Sequence, residues 1–104
     1  MSADPVGSGP SGAVTLRLPA LLADLVGGRR SLEVAPAPRT VGDLLDRVEA
    51  DQPAVVRRIR DETGALRRFV NVYVDDDDIR HLDGLATPLR AGATVHVLPS
   101  VAGG

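Results

Sequence analysis

The chain contains no cysteine and no lysine, and one phenylalanine and one tyrosine among 104 residues. Without a thiol there is no disulfide framework, no thiolate metal site and no cysteine nucleophile. All 12 basic residues are arginine, so no side-chain amine is available for Schiff-base or isopeptide chemistry, whereas forked contacts with carboxylates are well served. No apolar run is long enough to cross a membrane and no signal-peptide pattern opens the chain, which predicts a cytoplasmic protein with no membrane partner. The formal net charge of -2 gives no general attraction to nucleic acid. His81 and His96 stand far apart with no matched nucleophile, and together with the run Asp75 to Asp78 they lack zinc or EF-hand spacing; no metal site and no side-chain catalysis are expected.

What is present is the ordinary balance of a globular domain, 43 % hydrophobic and 25 % charged. Residues 1–12, rich in Gly, Pro and Ser, read as a disordered leader, 13–98 as one domain and 99–104 as a flexible tail. In "AVTLRLP", Val14, Leu16 and Leu18 alternate with Thr15 and Arg17, which predicts a half-buried strand. "ALLADLVGGRR" reads as an apolar turn or short helical piece, and "SLEVA" as a second strand completing a hairpin. The clearest helix starts at Thr40, an N-cap with Asp43 three residues on, and carries Val41, Leu44, Leu45 and Val48 on one face. Pro53 marks its boundary, and "AVVRRIRDE" predicts a shorter helix ending near Gly64. "FVNVYV" is the strongest strand, ended by the Asp run in a turn; "DIR" suggests a short edge strand and "TVHVLP" the last strand.

The order β-β-α-(α)-β-β-β predicts an α+β roll, a β-grasp, with one principal helix packed on one face of a mixed sheet and the first and last strands side by side. The other face then lies open. Phe69, Tyr73, His96 and Leu98 fall on it by alternation, and two readings stand: a partner-docking surface, or side chains that merely pair across strands.

The end "LPSVAGG" raises a separate possibility. Ala102, Gly103 and Gly104 make a tail thin enough to thread a narrow channel, because glycine lacks a Cβ and takes backbone angles barred to other residues. Such a tail presents its α-carboxylate to a buried active site. The carboxylate is a poor electrophile until adenylation gives it a good leaving group, after which sulfide or an amine can attack.

The spacing Val70-Asn71-x-Tyr73-Val74-x-Asp76-x-Asp78-x-Arg80, then Gly84-Leu85-Ala86-Thr87-x-Leu89-x-x-Gly92, together with the end "VAGG", resembles the ubiquitin-like sulfur carriers of the MoaD and ThiS families, and most of all those of cysteine synthesis. The resemblance runs through residues 13–104. It implies a ubiquitin-like β-grasp fold and a protein co-substrate, not an enzyme. An enzyme related to the ubiquitin-activating enzymes would adenylate Gly104 with ATP, and sulfur delivery would leave a thiocarboxylate there. It further implies a sulfur-accepting synthase of the cysteine-synthase kind, with pyridoxal phosphate in that enzyme, and a zinc-dependent peptidase that frees the product; the carrier itself holds no cofactor. A molybdopterin-synthase small subunit, a sulfur donor for secondary metabolites and a ubiquitin-like protein modifier share the same terminus and remain as alternatives.

Overall fold

Val14, Leu16 and Leu18 are buried while Arg17 between them is exposed, and this alternation sets the first strand of the fold, β1 (Val14–Arg17). The computed structural model describes residues 12–99. The leader and tail expected at 1–12 and 99–104 therefore lie almost wholly outside the described residues.

A short helix, α1 (Ala20–Ala23), follows β1 and runs into a 3-10 turn, Asp24–Val26, that Gly27 closes in the left-handed region. Strand β2 (Ser31–Val34) returns antiparallel to β1, with Leu16 opposite Leu32. Helix α2 (Val41–Asp51) begins where expected: the Thr40 hydroxyl accepts from the Asp43 amide at 3.1 Å. The Asp43 carboxylate, however, accepts from the Arg39 amide rather than that of Thr40, so the reciprocal half of the cap is displaced by one residue.

Pro53 opens α3 (Pro53–Ile59) at its first turn, where its missing N–H costs nothing. This helix stops at Ile59, short of the expected Gly64. The Asp61 carboxylate takes the amides of Thr63 and Ala65, and the Arg67 amide binds the Ile59 carbonyl, so the chain turns back instead of continuing the helix. Val55, Val56 and Ile59 are as deeply buried as Val41, Leu44, Leu45 and Val48 of α2, so the shorter α3 joins the longer α2 in sealing the core.

Strands β3 (Val70–Val74), β4 (Asp77–Asp78) and β5 (Thr94–Pro99) complete a five-stranded sheet in the order β2-β1-β5-β3-β4. The central β1–β5 pair is parallel and all others are antiparallel, which is the mixed β-grasp sheet. The edge strand is the second half of the Asp run, starting one residue before "DIR" and ending at its first residue. Ile79 accounts for the shift: it turns into a 3-10 helix and is fully buried. Each Leu or Ile withdrawn from water into this core contributes about 1.5–3 kcal/mol.

Candidate functional site

Strand register decides which candidate residues meet. Tyr73 pairs with His96, and His96 also stands beside Arg17 of β1, so the three form one row across the open face. Leu98 pairs with Asn71 in the next row. Thr15, Thr94 and Glu33 occupy the same face, which is therefore mainly polar. Phe69 does not join the ladder. It precedes β3, in a turn closed by the Val70 amide on the Arg67 carbonyl at 3.1 Å.

The exposed apolar surface collects instead at the end of the sheet where β5 finishes. A groove of about 470 Å³ is bounded there by Pro19, Leu21, Phe69, Val97, Leu98 and Pro99. Leu21 is 80 % exposed, Phe69 54 % and Leu98 46 %, three of the five exposed large hydrophobic side chains among the described residues. Arg57, Arg58 and Arg67 line the groove, and among the described residues no carboxylate does. Arg67 is held in place by its Nε, which donates to the Arg57 carbonyl at 2.7 Å. Of the four residues expected on the open face, the groove thus unites Phe69 with Leu98 and leaves Tyr73 and His96 on the flat sheet.

Leu21, Arg57 and Arg58 were not assigned to a docking surface from sequence, though a signal was there. Leu22 and Val26 are buried four residues apart, and Leu21 and Leu25, four apart themselves, must then point outward. Burial of Val55, Val56 and Ile59 turns Arg57 and Arg58 outward in the same way.

The motif that carried the family resemblance has structural work. The Arg80 guanidinium donates to Asn71 Oδ1 and to the Val70 carbonyl, both at 2.8 Å, and so braces the start of β3 beyond the reach of two-residue β4. Asp78 accepts from the Arg80 amide. Thr87, buried, accepts the Asp83 amide through its hydroxyl, while its carbonyl takes the first amide of α2, from Val41. Gly42 allows this loop to lie close: a Cβ there would stand 3.3 Å from the Leu85 carbonyl oxygen.

The ionic groups are structural too. Burial of Arg60 opposes its charge, but its hydrogen bonds to Asp46 at 2.6 Å and Glu49 at 2.8 Å outweigh this and raise its pKa, joining α3 to α2. The Thr63 hydroxyl and amide hold the Asp61 carboxyl below its usual pKa. Among the described residues no group of His and carboxylate side chains is placed to hold a metal, and no helix is long and apolar enough to cross a membrane.

The sequence pattern of the ThiS family matches residues 16–104. The chain belongs to the ThiS family. It is 40% identical over 93 residues to the sulfur carrier protein CysO of Mycobacterium tuberculosis, covering 88% of this chain and 98% of that one. It is 37% identical over 89 residues to small archaeal modifier protein 3 of Haloferax volcanii, covering 86% and 96%. Among solved structures, CysO in the Amycolatopsis orientalis BexX/CysO complex superposes with a TM-score of 0.77 at 38% identity, over 88% of this chain and 99% of that one. A ThiS-family chain with these relatives is a ubiquitin-like β-grasp protein that serves other enzymes as a protein co-substrate and is not itself an enzyme.

Proposed function

We propose that this chain carries sulfur as a thiocarboxylate on Gly104. An activating enzyme first joins the Gly104 carboxylate to the α-phosphate of ATP, releasing pyrophosphate. Hydrosulfide then attacks the acyl carbon of the adenylate, the C–O bond to phosphate breaks, and AMP leaves. The resulting thiocarboxylate is anionic near neutral pH, soft and nucleophilic, and it moves sulfide without letting it diffuse free. The observation that carries this reading is the family match that extends to Gly104, through the Gly-Gly end. Similarity to named sulfur carriers supports it. The same similarity favours cysteine synthesis as the destination, with a pyridoxal-phosphate synthase as acceptor and a zinc-dependent peptidase releasing the product. The absence of cysteine suits the role, since no thiol of the carrier competes for sulfur or is oxidised with it.

Adding one residue after Gly104 tests the chemistry. The extended chain is expected to keep its thermal melt and to gain no sulfur from ATP, sulfide and the activating enzyme. Loading of the extended chain without trimming would contradict the proposal.

A second reading, a modifier that Gly104 joins to lysines of other proteins, is favoured by the likeness to small archaeal modifier protein 3. The two share the adenylate and differ in the attacking group. Isopeptide-linked adducts in cells, with no thiocarboxylate, would decide for the modifier.

A further inference from the structure

The carrier reading leaves open where an enzyme that handles Gly104 grips the rest of the chain. The open sheet face is mainly polar, whereas the groove at the end of β5 is apolar and cationic. We propose that this groove, built from α1, α3 and the turn before β3, is the docking site for an acidic segment of the activating enzyme, one that sets apolar side chains against Leu21, Phe69 and Leu98 and carboxylates against Arg57, Arg58 and Arg67. The proposal rests on the carrier reading for the identity of that enzyme.

Continuity is the first argument. Pro99 forms part of the groove wall, and the chain continues from it by five residues to Gly104. Fully extended, five residues span at most about 17 Å. An enzyme holding Gly104 in its active site therefore has its surface within that distance of the groove.

Charge complementarity is the second. In a chain of net charge -2, three arginines meet at one groove that no carboxylate among the described residues lines, with Arg57 and Arg67 at its border toward Asp46, Glu49, Asp61 and Glu62. Among the described residues none of the three forms an ion pair, although Arg47 and Arg60 do. The chain's own acidic run lies at the opposite end of β3: Asp75 contacts Thr94, the first residue of β5, while Val70 pairs with Pro99, the last. With these arginines at one end of β3 and the acidic run at the other, an acidic partner is drawn to the end that bears the tail. The third argument is the anchor set. A buried apolar centre inside a polar rim is the arrangement that concentrates binding energy, and Arg and Phe are suited to it.

The test is steady-state loading of the full chain by the activating enzyme, isolated from cells that make this chain by following thiocarboxylate formation. Arg57→Glu with Arg58→Glu is expected to raise KM about tenfold or more at low salt, to leave kcat unchanged, and to abolish the rise in KM that added salt produces with wild type. Leu21→Ser is expected to raise KM at every salt concentration. Arg39→Glu with Arg90→Glu, the same change of charge on exposed residues outside the groove, is expected to leave KM within about twofold. A KM for Arg57→Glu with Arg58→Glu that matches this control overturns the proposal while the carrier reading stands. A wild-type chain that gains no sulfur overturns both. Thermal melts of each variant separate lost docking from lost folding. A dimer of the free chain, seen by sedimentation and dispersed by Leu21→Ser, would place a second copy in the groove and also overturn the proposal.

Discussion

The two ends of β5 are built to opposite specifications. At the Thr94 end the backbone is tied down. The Asp75 amide donates to the Thr94 carbonyl at 2.7 Å and its carboxylate accepts the Thr94 amide, with Asp75 itself in the left-handed region at φ 56, which Asp tolerates better than most residues. The Gly92 amide donates to the Ala13 carbonyl and the Thr15 amide to the Ala93 carbonyl, while the segment leading into β5 caps α2 through the Thr87 carbonyl and holds the chain before it through the Leu89 amide on the Arg39 carbonyl. At the Pro99 end the strand runs out between exposed apolar side chains and arginines that have no ion-pair partner among the described residues. One end holds the sheet to the helices. The other spends exposed apolar area that a monomer gains nothing by displaying. Stability and recognition are thereby separable, and substitutions can be assigned to one end or the other.

The largest effect on stability is expected from neither end but from the core they share. Leu45→Ala, at a side chain 1 % exposed, is expected to cost about 2–5 kcal/mol in denaturant unfolding, by lost transfer energy and the cavity left behind. A loss below about 1 kcal/mol would mean that α2 does not seal the sheet as described.

The comparison sharpens at the Pro99 end. Phe69→Ala is expected to weaken binding to the activating enzyme by about 1–2 kcal/mol or more, measured by calorimetry, and Tyr73→Ala, on the flat sheet, by less than about 0.5 kcal/mol. Equal losses would return the docking surface to the open face. At the tied end, Thr40→Ala is expected to cost about 1 kcal/mol of unfolding free energy by removing the N-cap of α2, with enzyme binding unchanged. A drop in binding with no loss of stability would break the division.

Much of this fold was legible because period and burial agree. Val14, Leu16 and Leu18 alternate, and Val41, Leu44, Leu45 and Val48 recur at helical spacing behind a Thr cap, so strand, helix and inward faces followed directly. The end of α3 was not legible, since it depends on an Asp61 side chain that outcompetes the helix for nearby amides. Nor were the bounds of β4, a strand expected at "DIR" but set one residue earlier because Ile79 reaches the core from a polar stretch. Phe69 was assigned to the open face by alternation alone, and alternation fails one residue outside a strand. The motif that gave the strongest family signal proved to be about architecture: Asn71 with Arg80, Asp78 with the Arg80 amide, and Thr87 beneath α2. A family pattern of this kind reports that the chain folds as its relatives do. The proposed chemistry sits elsewhere, in the last residues, where the pattern is only two glycines long.

The central claim is that Gly104 itself bears the sulfur, and intact mass spectrometry tests it most directly. The chain is incubated with ATP, sulfide and the activating enzyme, beside a chain lacking Gly104. The account requires a mass gain equal to one oxygen exchanged for sulfur in the full chain and none in the shortened one. An unchanged mass in the full chain, or the same gain without Gly104, would contradict it.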